Sequence, residues 1–98
     1  MKIRIHESAS QDLINGFHFY EKQSTGLGNY FIDSLFSDID SLQIYAGIHP
    51  VHFGYYRILS KRFPFAVYYK ISDNSALVYA VLDCRRNPVF IRKQLNEL

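Results

Sequence analysis

The sequence predicts an α+β domain: a small twisted antiparallel sheet, packed by an N-terminal helical hairpin and closed by a short C-terminal helix. Three observations lead there. Segments rich in aromatic and β-branched residues run from Phe53 to Leu59, Phe65 to Ile71 and Ala76 to Leu82, separated by turn-forming residues. Two stretches before them carry apolar residues at helical spacing with only a few residues between them. Asn87-Pro88 then opens a last short helix. The predicted order is β-α-α-β-β-β-α in one domain, residues 1–98.

Taken in order, Lys2-Ile3-Arg4-Ile5 alternates polar and apolar residues and reads as a short half-buried strand. Ser8-Ala9-Ser10-Gln11 has the form of a capping box, so the first helix is expected to start at Ser8. Ala9, Leu13, Phe17 and Tyr20, with Ile14 beside them, give that helix its apolar stripe through about residue 23, and Ser24-Thr25-Gly26 ends it. Phe31, Leu35, Ile39 and Leu42, with Ile32 and Phe36, mark a second helix from about Gly28 to Ala46, stopped by Gly47. The short connection predicts an antiparallel pair of helices. Their stripes are expected to form core.

Residues 47–52 read as a loop into the strands. In the next long strand Phe65, Val67, Tyr69 and Ile71 share one face, while Ala66, Tyr68 and Lys70 share the other. Asp73-Asn74-Ser75 is a turn. Ala76 to Leu82 is nearly all apolar, the pattern of a strand covered on both faces. The final helix is expected over residues 88–98.

Composition excludes several function classes. No apolar run approaches the roughly 20 residues that span a bilayer, and the first residues lack the apolar block of a secretory leader. A lone cysteine, Cys84, rules out an internal disulfide and fits a reducing compartment, so a cytoplasmic location is expected. His6, His18, His49 and His52 are scattered, and neither CxxC nor HExxH occurs, so no metal site is expected. Gly26-Leu27-Gly28 lacks the remainder of a nucleotide-binding loop, and no cofactor is called for. Cys84 beside Arg85 and Arg86 is a weak candidate thiol nucleophile, better read as a small packing residue.

Charge is the strongest chemical signal. Residues 1–56 hold three Lys/Arg against six acids, a net of −3, whereas residues 57–98 hold eight against three, a net of +5. Arg57 lies on the first strand of the meander, Lys61 and Arg62 in the following loop, Arg85 and Arg86 after the last strand, and Arg92 and Lys93 on the final helix. Residues 60–64 and 83–87 are two turns apart and so fall at one end of the sheet, which brings four of these cations together. Arginine binds carboxylate or phosphate through two parallel hydrogen bonds, so an acidic partner is expected. The competing explanation is that the charges simply keep the surface soluble.

The ordered set Tyr55-Tyr56-Arg57-Ile58, Phe63-Pro64-Phe65-Ala66-Val67-Tyr68-Tyr69 and Tyr79-Ala80-Val81-Leu82-Asp83-Cys84-Arg85-Arg86-Asn87-Pro88 resembles the RelE/ParE superfamily of toxins from type II toxin–antitoxin pairs, across essentially the whole chain. The resemblance implies a small cytoplasmic protein, held inactive by a cognate antitoxin that wraps its surface, and meeting operator DNA only through that antitoxin. RelE-like members cleave messenger RNA on the ribosome, which needs a base, cations for the developing phosphorane charge and a proton donor. In them an Arg lies in the strand that here reads Phe65-Ala66-Val67-Tyr68, another follows the last strand, and a Tyr or His stands near the C-terminus. Here the strand position is Phe65 or Ala66 and the tail from Val89 to Leu98 has no Tyr or His. A ribonuclease would have to use Arg57, Lys61 and Arg86. The apolar last strand ending in Asp83-Cys84-Arg85-Arg86 is closer to the ParE branch, whose members disturb DNA gyrase. A gyrase inhibitor binding through Arg57, Lys61, Arg62, Arg85, Arg86, Arg92 and Lys93, with no assigned catalytic residue, is therefore favoured over the nuclease. A degenerate, non-toxic antitoxin-binding member is the third possibility.

Overall fold

The computed structural model describes residues 1–98. Its elements are β1 (Lys2–Ile5), α1 (Glu7–Gln23), α2 (Leu27–Asp40), α3 (Leu42–Tyr45), β2 (Val51–His52), β3 (Tyr55–Leu59), β4 (Phe65–Ser72), β5 (Ser75–Asp83) and α4 (Pro88–Asn96). The five strands form one sheet in the order β1-β5-β4-β3-β2. β2 to β5 are antiparallel to their neighbours, but β1 runs parallel to β5. The sheet is thus mixed rather than antiparallel throughout. After the helical hairpin β2 runs opposite to β1, and the three antiparallel reversals from β2 to β5 then bring β5 back to the direction of β1.

The expected alternation on β4 organises both layers. Phe65, Val67 and Tyr69 enter the main core beneath α1 and α2, together with Ala9, Leu13, Tyr20, Phe31, Leu35 and Ile39. Ala66 and Tyr68 face the other way, into a smaller core with Tyr55 and Ala80 that α4 closes through Ile91 and Leu95. β5 is covered on both faces as its composition requires, but with an irregularity. Tyr69 pairs with Val78 and Tyr68 with Ala80, so Tyr79 is an extra residue that shifts the alternation. Ala76, Val78 and Val81 can then all reach the main core.

The two helices of the hairpin approach closely at glycine. A Cβ added at Gly28 would lie 2.8 Å from the Phe17 ring and from the Phe17 carbonyl oxygen. Asp73 and Asn74 both have positive φ, 49° and 58°, the two-residue turn that matches the twist of a hairpin.

Four local expectations are corrected. The first helix begins at Glu7, and its N-cap is His6, whose Nδ1 accepts from the Ser8 N–H at 3.4 Å. Ser8 is diverted: its hydroxyl donates to the Tyr79 carbonyl at 2.6 Å. The second helix stops at Asp40, because Ser41 turns its hydroxyl back onto the Asp38 carbonyl at 2.6 Å, and α3 follows as a separate turn. Ile14 and Phe36 lie outside the core and are exposed. The loop before the meander contains a strand, β2, turned onto β3 through Phe53 and Gly54.

Candidate functional site

The basic end of the sheet is built by backbone pairing. Ser60 N–H donates to the Phe65 carbonyl and Cys84 N–H donates to the Pro64 carbonyl, 2.8 and 2.9 Å. These bonds set residues 60–64 beside residues 83–87, so Lys61, Arg62, Arg85 and Arg86 share one end of the molecule. Asn87 then caps α4 by accepting from Val89 N–H at 2.8 Å, and Arg92 and Lys93 are exposed on that helix.

The seven predicted cations are not equivalent. Lys61, Arg62, Arg86, Arg92 and Lys93 are exposed and form no ion pair. Arg85 is engaged. Its Nη2 and Nε donate to the two carboxylate oxygens of Asp83 at 2.7 and 3.0 Å, and its own N–H adds a third bond at 2.9 Å. The guanidinium holds the Asp83 carboxyl below its ordinary range. Arg86 lies over the Phe90 ring at 4.7 Å. Arg57 stands apart. It is half-buried on the α4 face of the sheet, opposite Tyr68 in the register, and its Nε is buried without a partner. Burial pushes the Tyr68 hydroxyl up and the neighbouring Arg57 pulls it back. Arg57 is therefore part of the inner packing, not of the exposed cationic end.

One group that the sequence did not single out sits beside this end. Asp12 on α1 turns its carboxylate onto β5, accepting from Val81 N–H at 3.0 Å. Burial raises its pKa from 3.8 to about 6, against the opposing pull of that hydrogen bond. With a folded-state pKa above the unfolded one, the protonated form is favoured by folding. The contribution is complete below about pH 3.8 and is lost as pH rises through about 6. Asp12→Asn keeps an acceptor for Val81 and removes the charge. After allowance for solvent screening it is expected to be more stable than the parent by about 1–2 kcal/mol near neutral pH, and equal to it in acid. Urea unfolding of both proteins at the two pH values checks this; a gap that does not change with pH contradicts it.

No three His, Cys, Asp or Glu side chains gather where they could hold a metal ion. No family model and no curated protein matches the chain. Among solved structures, a chain of the "Chromosomal ParDE TA system from P. aeruginosa" superposes with a TM-score of 0.72. It is 16% identical, and the likeness covers 83% of this chain and 92% of that one. The fold is ParE-like. Within this ParE-like fold the elements follow the predicted order with α3 and β2 added.

Proposed function

We propose that the chain is the toxin of a type II toxin–antitoxin pair, acting in the cytoplasm, neutralised by a cognate antitoxin and directed at DNA gyrase. The carrying observation is the ParE-like fold over nearly the full length of a chain from a ParDE toxin–antitoxin system. The exposed cations at the strand-end loops and on α4 form the surface through which it meets its acidic target or partner. No helix is long and apolar enough to cross a membrane, in keeping with action away from one.

The interior of β4 favours gyrase over ribosome-bound messenger RNA. Phe65 belongs to the main core, and Ala66 is fully buried under α4, so neither position offers a charge to a phosphate. Tyr68 is 1% exposed and the Arg57 Nε is buried, so neither the Tyr68 hydroxyl nor that nitrogen is offered to a substrate. A ribonuclease would be left with Lys61 and Arg86, with no Tyr or His on α4 and with Asp12, bound to the Val81 N–H, as the nearby titratable group.

The test is induction of the chain alone and together with the protein encoded by the adjacent reading frame. Growth arrest on single expression, relieved by co-expression and accompanied by a stable complex of the two proteins, is the expected result. Unimpaired growth with soluble, folded protein would contradict toxicity and identify a degenerate member of the fold.

A further inference from the structure

β1 covers only the first half of β5. It pairs with Ser75 to Val78, and His6 N–H closes the run on the Val78 carbonyl at 2.8 Å. β5 continues to Asp83, so its outer edge beyond Tyr79 has no neighbouring strand.

The ladder with β4 decides which edge atoms are left. Cys84 N–H donates to the Pro64 carbonyl, and Phe65 pairs with Asp83, Ala66 with Leu82 and Val67 with Val81. In an antiparallel pair, hydrogen-bonded and non-bonded positions alternate, so Val81 and Asp83 turn both main-chain groups away from β4. Two of those four groups are satisfied within the chain: Val81 N–H by Asp12, and the Asp83 carbonyl by Arg86 N–H at 3.2 Å. The Val81 carbonyl and the Asp83 N–H remain.

That remainder has a direction. The two free groups flank Leu82, and they are the acceptor and donor that one residue of a parallel neighbouring strand requires. An antiparallel neighbour would need both groups of a single residue, and neither Val81 nor Asp83 has both to offer. A cavity of about 380 Å³ opens at this point between α1 and α4, with Phe19 and Gly16 on one side and Phe90 and Gln94 on the other. Its size is in the range of small binding sites. Its charged groups are engaged within the chain: Asp83 pairs with Arg85, Asp12 accepts from Val81 N–H, and Arg86 lies over the Phe90 ring.

We propose that this slot takes an uncharged, extended peptide segment of another polypeptide, running parallel to β5 in line with β1. Its central residue donates to the Val81 carbonyl and accepts from Asp83 N–H, while apolar side chains enter between Phe19 and Phe90. The slot adjoins the cationic end at Asp83 and Arg86, but its backbone geometry does not depend on the gyrase assignment.

The experiment is an amide NMR titration of the intact chain with the capped peptide acetyl-Ser-Val-Thr-Val-Ser-amide at up to millimolar concentration. The Asp83 amide is expected to shift downfield and to saturate. Methylating the central peptide nitrogen removes the donor to Val81 and is expected to weaken binding about tenfold or more. Gln94→Trp, which fills the slot from α4, is expected to abolish the Asp83 shift while the rest of the spectrum stays in place. An Asp83 amide that does not respond, or equal binding of the methylated peptide, overturns the proposal. A shift that appears with protein concentration alone also overturns it, because the occupant would then be a second copy of the chain.

Discussion

Phe31→Ala is expected to lower stability by about 3–5 kcal/mol, a large share of the roughly 5–15 kcal/mol of a domain this size. Phe31 is wholly buried, and its ring centre lies 5.1, 5.1 and 5.0 Å from those of Tyr20, Phe63 and Phe65. It joins α1, α2, the Ser60–Pro64 loop and β4 in one contact set, so truncation leaves a cavity that no single element can close. The site is also tight from the other side. A Cβ at Gly16 would fall 2.5 Å from two Phe31 ring atoms, so α1 carries glycine where the ring rests. Phe36→Ala, the same chemistry on the exposed face of α2, is expected to cost under about 1 kcal/mol. Urea unfolding of the two variants measures the difference. Equal losses would contradict the assignment of Phe31 to the centre of the core.

The second large effect concerns activity. The double variant Arg85→Ala, Arg86→Ala is expected to keep its fold and to lose growth arrest at least about tenfold, since two charge-assisted contacts to a target would be removed. Both side chains are exposed, and the only ion pair broken is the Arg85–Asp83 pair at the surface. Removing it frees Asp83, which adds a negative charge to a surface proposed to attract acidic partners. Arg85→Ala and Arg86→Ala each lower the local charge by one, but only Arg85→Ala leaves a carboxylate unpaired. Plating efficiency on induction, with circular dichroism as the fold control, separates these outcomes. Undiminished arrest by a folded double variant would show that the strand-end arginines are not the target surface.

How far these features could be read from the sequence depends on how local their causes are. The stripes Ala9-Leu13-Tyr20 and Phe31-Leu35-Ile39, the two faces of β4 and the Asn87-Pro88 start of α4 are set by short-range periodicity and capping, and the structure carries each of them. The misplaced start of α1 had a non-local cause. The Ser8 hydroxyl, the expected cap, is taken by the Tyr79 carbonyl 71 residues away. The same holds for the parallel pairing of β1, for the two-residue β2, which exists only through β3, and for the Tyr79 irregularity, which no alternation of types announces.

The candidate site divides in the same way. That the 60–64 and 83–87 loops meet follows from meander topology, and the Cys84–Pro64 bond makes the contact. That Arg57 points into the α4 layer, and that Arg85 folds back on Asp83, depends on packing and rotamer choice. The edge slot left one trace in the sequence. The last strand reads as seven residues, Ala76 to Leu82, against four in the first, so part of its edge is left without that neighbour.

The measurement that bears most directly on the proposed target is recovery of gyrase–DNA cleavage complexes from cells after induction of the chain alone. Trapped complexes, filamentous cells and a DNA-damage response are expected, with translation continuing at first. Rapid arrest of translation with cleaved messenger RNA and no trapped gyrase would contradict it.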